Sequence, residues 1–315
     1  MDTRRAGIAI VLVSAAIVAF ESVSVEGALN IADIDVFLVS AVPPLIGGSI
    51  LLGIRPAKTR HLVGNLGASG WAKIGILGTM VGLGVLLWFD AVGRIGASKE
   101  AILGGGSSEV LSVVLLSAVF LRERLRRLEI IGSILVLLGV ILVLTNTSKV
   151  SLTIGSGEIE AIASSLVLGA SVVYTTHLLR EYDLMPLSGL ELLVSGIVVL
   201  AFGAAAGLIT WPADSSGWAV LILIGLFPAI GLGTYNSSLP RIGASLTSVL
   251  FALNGIMTVG VQLAVLAFVP DANIMLPQSV ALAIAGGVIA FVGVYLLNKR
   301  PMRAADAKKG AEGEI

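Results

Sequence analysis

Long apolar runs alternate along this chain with short polar clusters. Each run is near the twenty residues needed to cross ~30 Å of hydrocarbon. They fall at about 7–27, 34–53, 72–90, 96–120, 128–145, 157–179, 188–209, 217–239, 243–268 and 278–298, a pattern that predicts ten membrane-spanning helices. Connections as short as Val92 to Ile95 and Pro240 to Ile242 make neighbouring helices antiparallel hairpins. Pro43-Pro44 and Gly286-Gly287 interrupt the second and tenth runs, whose boundaries are the softest. The first run follows a basic start, as a cleaved signal peptide would, but continues to about Ala28, which is long enough to span.

Composition agrees with that pattern. Hydrophobic residues make up 56% of the chain and charged residues 13%, a balance that would leave a soluble domain with a largely apolar surface. The expected class is therefore an all-α integral membrane protein. A formal net charge of zero gives no basic field for nucleic acid. The lack of cysteine removes disulfides, thiolate metal sites and cysteine nucleophiles. No metal-ligand cluster, phosphate-binding loop or nucleophile–base pair stands out, so neither metal, cofactor nor enzymatic activity is expected. Gly104-Gly105-Gly106 follows no strand and precedes no Lys-Ser, which argues against a nucleotide loop.

Basic residues orient the helices. With the N-terminus in the cytoplasm, the inside segments hold seventeen Lys and Arg, among them Arg4, Arg5, Arg55, Lys58, Arg60, Arg122, Arg124, Arg126, Arg127, Arg180, Arg241 and Lys299. The outside loops hold two, Arg94 and Lys149. Both termini are thus expected in the cytoplasm of a multi-pass cytoplasmic (inner) membrane protein. The string RIGAS occurs at Arg94 to Ser98 and again, 147 residues later, at Arg241 to Ser245. The same offset relates Gly70-Trp71-Ala72 to Gly217-Trp218-Ala219, and Gly78, Gly84 and Gly139 to Gly225, Gly231 and Gly286, the mark of an internal repeat. Five helices per half is an odd number, so the second copy enters the membrane from the opposite side. The expected organisation is two inverted five-helix repeats, 1–149 and 150–299, followed by a disordered cytoplasmic tail, 300–315. Inverted repeats place a binding site near the midplane between the halves.

The stretch from Leu86 to Val143, with its Gly-Ala turn, long fourth helix and Leu121-Arg122-Glu123-Arg124 turn, resembles the third to fifth helices of an EamA-type member of the drug/metabolite transporter superfamily. Ile224 to Phe268 resembles the eighth and ninth helices of the same family. The resemblance implies a ten-helix carrier of small molecules without naming the substrate. Two departures bear on it. Where family members often have a proline in the fourth and ninth helices, this chain has Ser108 and Gly255, and its second half has Val269-Pro270-Asp271-Ala272 in place of the charged turn.

An ionisable side chain within a span costs a few kcal/mol and needs a reason. Glu21 lies fourteen residues past Gly7, roughly 21 Å along the helix. It reads as a carboxylate facing a central cavity that binds protons or a substrate amine, or as one held structurally by a hydroxyl or by Lys99. Lys99 and Glu100 are one turn into the fourth helix, where snorkelling accounts for both; alternatively Lys99 meets Glu21 as an outer gate. Glu109 follows Gly104-Gly105-Gly106-Ser107-Ser108, a run that forfeits roughly 1 kcal/mol per glycine against alanine. Close helix approach explains such a run, as does a pliable helix whose Ser107 and Ser108 line the pathway. Asn254 falls on Ser107 at the 147-residue offset and is expected to line the pathway with it. Tyr174, Tyr235 and Asn236 read as substrate contacts, an inner gate or interfacial anchors. His177 reads as a solvated interfacial residue beside Arg180, and Glu191 and Gln262 as standing near opposite interfaces.

Basic side chains are nearly absent from the spans, which counts against phosphorylated substrates. Aromatic residues, at 5%, are too few to favour an aromatic cage for quaternary ammonium compounds. By elimination the expected activity is secondary transport of a small metabolite, an amino acid or similar, outward by alternating access. Proton coupling through Glu21 or Glu109 is one expectation and facilitated exchange without protons its rival. A non-transporting scaffold or lipid-handling protein is the reading from another class. The expected partners are the small-molecule substrate, the bilayer and protons, with no nucleic acid, and the chain is a monomer or a homodimer.

Overall fold

A computed structural model describes residues 3–122, 127–144, 155–270, 274 and 280–298, and these contain helices and no strand. The first half comprises α1 (Thr3–Asn30), α2 (Val36–Ile54), α3 (Pro56–Asn65), α4 (Ala68–Ile95), α5 (Ala97–Leu103), α6 (Glu109–Leu116) and α7 (Arg127–Leu144). The second comprises α8 (Ser156–Leu178), α9 (Leu184–Ala205), α10 (Ser215–Ile224), α11 (Leu226–Ile242), α12 (Ala244–Phe251), α13 (Asn254–Phe268) and α14 (Val280–Asn298). Among the described residues, seven helical stretches are long and apolar enough to cross a membrane: 3–30, 36–54, 68–95, 156–178, 184–205, 215–242 and 244–268. The other three expected spans coincide with the interrupted helix α5–α6, with α7 and with α14. Lys149, the segment Glu123–Arg126, Asp271 and the tail lie outside the described residues.

Two expected interruptions do not break their helices. α2 runs through Pro43 and Pro44, and α14 through Gly286 and Gly287. Each proline removes one backbone donor, a loss tolerated at membrane depth where the helix is packed in protein, as α2 is against α4, α9 and α11. One element has no counterpart in the expected pattern. The short α3 begins on Pro56, which needs no N–H partner at that position, and has no buried residue.

The packing partners are reciprocal between the halves: α2 lies on α9, α7 on α14, α1 on α11 and α4 on α8. Small residues two turns apart set the first two crossings. Ala41 and Gly48 on α2 meet Gly189 and Gly196 on α9; Gly132 and Gly139 on α7 meet Gly286 and Gly293 on α14. A spacing of seven keeps such residues on one face and lets backbones touch. A Cβ at Gly196 would sit 2.6 Å from the Ala41 carbonyl oxygen, and one at Gly293 2.6 Å from that of Gly132.

The repeated RIGAS strings occupy equivalent places. Gly96 (φ 82°, ψ 153°) and Gly243 (φ 83°, ψ 161°) end α4 and α11 in one and the same conformation, which favours glycine. Each string also receives the start of a helix from the other half, Gly7 against Arg241 and Ile242, Gly157 against Arg94 and Ile95. Arg94 is held by Asp90 at 2.9 Å and Glu160 at 3.1 Å. The string is thus a turn and a docking surface for the opposite half.

Candidate functional site

Helical spacing places the cavity-lining residues on one stripe of each central helix. Ser14, Val18 and Glu21 form that stripe on α1; Val81, Val85 and Trp88 form it on α4; Ser164, Leu168, Ser171 and Thr175 on α8; and Pro228, Gly231, Leu232 and Tyr235 on α11. These stripes converge on a cavity of about 130 Å3 between the two halves, closed further by residues of α2, α5, α6, α9, α12 and α13.

Four carboxyl groups face this cavity, Glu21, Glu100, Glu109 and Glu191, all buried. No Lys, Arg or His is among its lining residues. The carboxyls fall into two kinds. Glu100 accepts a 2.7 Å hydrogen bond from the Trp88 indole. Glu191 accepts from the Asn236 amide at 3.1 Å and the Thr175 hydroxyl at 3.3 Å, while the same amide reaches Ser188 at 2.9 Å. The hydrogen bonds of the described residues include none to the carboxylates of Glu21 or Glu109. Ionising a buried carboxyl that has no partner costs several kcal/mol, so such a group holds a proton or takes an entering positive charge.

The long helix that carries Glu109 is broken at the glycine run. Gly104–Ser108 forms a π-helical turn between α5 and α6, and a second follows at Ser117–Leu121; such turns recur at functional sites. In the other half the helix breaks at Ala252-Leu253, between α12 and α13, so that Asn254 opens α13. The two breaks lie at matching places in the repeat, and neither contains a proline. The side chain of Ser107 lies outside the described residues, so its expected pairing with Asn254 across the pathway does too. Asn254 borders the cavity; Ser108 does not.

Several expectations change place. Lys99 does not approach Glu21; its ammonium pairs with Glu158 at the start of α8, away from the cavity. Tyr174 packs in an apolar cluster with Leu178 and Leu187 outside the cavity, whereas Tyr235 and Asn236 border it. Glu100 is not a snorkelling interfacial residue: it is buried, borders the cavity and is held by Trp88 of α4. Glu191 is not at an interface either: α9 begins at Leu184, four residues before the expected span, which sets Glu191 roughly 10 Å into the helix. Trp88, Phe89, Tyr235 and Phe251 all border the cavity, so a low aromatic content coexists with a locally aromatic wall.

Glu26, which the depth argument did not single out, anchors a second buried polar cluster. Its carboxylate accepts from the Gln262 amide at 2.9 Å and the Ala97 N–H at 3.4 Å, and the Ser98 hydroxyl donates to the Gln262 carbonyl oxygen. Gln262 is therefore buried between α1, α5 and α13, and not interfacial. Replacing Gln262 by Leu removes a donor to Glu26 and the acceptor of Ser98 at once. A loss of about 2–3 kcal/mol in stability is expected, measurable as a lowered midpoint of thermal unfolding in detergent; an unchanged midpoint would show the cluster to be idle.

The model of the EamA-like transporter family matches residues 5–145 and 155–299. A solved structure described only as "Crystal structure of protein" is similar over 96% of this chain and 98% of its own, with a TM-score of 0.70 at 18% identity, a likeness of fold. No curated protein matches the chain.

Proposed function

Because the chain belongs to the EamA-like transporter family of the drug/metabolite transporter superfamily, we propose that it is a secondary transporter of a small metabolite. Its two five-helix halves, 1–149 and 150–299, are inverted with respect to the cytoplasmic membrane and rock about the central cavity to expose it to each side in turn. Both termini are cytoplasmic, and the net direction of transport is outward. Protons are the coupling ion, carried by a cavity carboxyl.

One observation carries the reading: a cavity at the meeting of the halves, built from both, with two carboxyls, Glu21 and Glu109, that lack hydrogen-bond partners among the described residues. A scaffold whose polar residues only knit helices would satisfy Glu21 and Glu109 as Glu191 is satisfied. The test is reconstitution of the purified chain in proteoliposomes with a panel of labelled small metabolites. Saturable flux of a subset, accelerated by an imposed pH gradient, is the expected result. Flux indifferent to the gradient identifies a facilitated exchanger, and no saturable flux for any compound returns the chain to the scaffold class.

A further inference from the structure

The cavity contains a local demand for donors. Asn254 and Glu109 face the same space beside the π-helical turn: a Cβ on Gly105 would lie 3.6 Å from Asn254 Nδ2, 3.7 Å from its Oδ1 and 4.0 Å from Glu109 Oε2. Tyr235 borders the same cavity within electrostatic range of Glu109. Asn254 Oδ1 and the Tyr235 hydroxyl are buried and have no hydrogen-bond partner among the described residues, a condition that costs about 1–3 kcal/mol per group. An amide oxygen without a donor, a phenol hydroxyl without a partner and a carboxyl without a cation thus border one cavity.

A primary ammonium has the complementary inventory, three N–H donors, one positive charge and no acceptor. A zwitterionic amino acid fits worse, since its carboxylate would meet four carboxyls and no basic side chain. The remaining walls suit an apolar body. Trp88 and Phe89 stand with ring centroids 4.7 Å apart, and Phe251 meets Tyr235 edge-on at 4.9 Å. At about 130 Å3 the space approaches the ~150 Å3 of an engineered cavity that takes up benzene, which limits that body to about one ring or its equivalent.

We propose that the transported substrate is a compact primary amine without a carboxylate, its ammonium donating to Glu109, Asn254 and Tyr235 and its apolar body lying against the aromatic wall. This assignment rests on the transport reading above and refines it; Glu21 is left free for the coupling proton.

The experiment uses the full chain, with binding measured by calorimetry in detergent and exchange measured in proteoliposomes. The probes are phenethylamine, benzylamine and n-hexylamine against phenylalanine, 2-phenylethanol and the N,N,N-trimethyl derivative of phenethylamine. At least one of the three carboxylate-free amines is expected to bind about tenfold or more tighter than phenylalanine, 2-phenylethanol and the trimethyl compound. Asn254→Leu, and the isosteric Tyr235→Phe should the first not fold, are expected to narrow the gap between phenethylamine and its trimethyl derivative by about tenfold. Phenylalanine binding as tightly as phenethylamine overturns the amine assignment even if transport is observed. Amine binding without exchange upholds the amine-binding site and overturns the transport reading. Failure of all three amines to bind overturns the assignment whatever else is carried.

Discussion

Replacing Glu21 by Gln is expected to abolish the acceleration of flux by an imposed pH gradient, a loss of ~100-fold or about 2.7 kcal/mol in the coupled rate, with counterflow at equal pH on both sides falling far less. The reason lies in how the four cavity carboxyls are held. A group that carries a proton must exchange it without breaking a supporting network. Glu100 is tied to Trp88 and Glu191 to Asn236 and Thr175. Glu21, on the cavity stripe of α1 with Ser14 and Val18, has no such tie among the described hydrogen bonds. Gln keeps the shape and removes the proton site, so the variant separates coupling from folding. The check is vesicle uptake at fixed substrate with and without an inside-acid gradient. Equal acceleration in the parent and in Glu21→Gln would move the coupling role to Glu109.

The second large effect is structural. Gly48→Ala is expected to destabilise the protein by about 3 kcal/mol, near the upper end for one methyl forced into a packed interior. The added Cβ would lie 2.7 Å from the Gly189 carbonyl oxygen and 2.8 Å from the Leu193 amide nitrogen. Both are backbone atoms of α9, so the conflict cannot be relieved by turning a side chain, and α2 and α9 must separate. Gly53→Ala on the same helix is the comparison, because nothing lies within 4 Å of its Cβ. There the better helix propensity of alanine leaves stability unchanged or raised by up to ~1 kcal/mol. Thermal unfolding in detergent reads both, and similar midpoints for the two variants would refute the close crossing.

Which parts of the site were legible follows from these cases. The duplication at Arg94 to Ser98 and Arg241 to Ser245 is written in the letters, and the conformation shared by Gly96 and Gly243 is its structural image. The depth of Glu21 could be counted from a helix start. The depth of Glu191 could not, because Pro186 and Ser188 blurred a helix that begins at Leu184. Glu26 was passed over for want of a visible partner: Gln262 is 236 residues away in sequence. The alternative that pairs Lys99 with Glu21 rests on similar depth alone, and the neighbouring helix α8 supplies Glu158 instead.

A run of apolar residues states that a helix crosses lipid, since no other backbone arrangement satisfies its own N–H and C=O groups there. The repeat, the apolar class and the family pattern were accordingly open to inspection before any fold was known. The direction each helix faces was not. In water an apolar stripe marks the buried side of a helix, but in lipid both sides are apolar, because the bilayer is as good a solvent for Leu as the protein interior. Only packing, set by small residues such as Gly48, Gly139, Gly189 and Gly293, turned Glu21, Glu109, Asn254 and Tyr235 toward one cavity and Lys99 away from it.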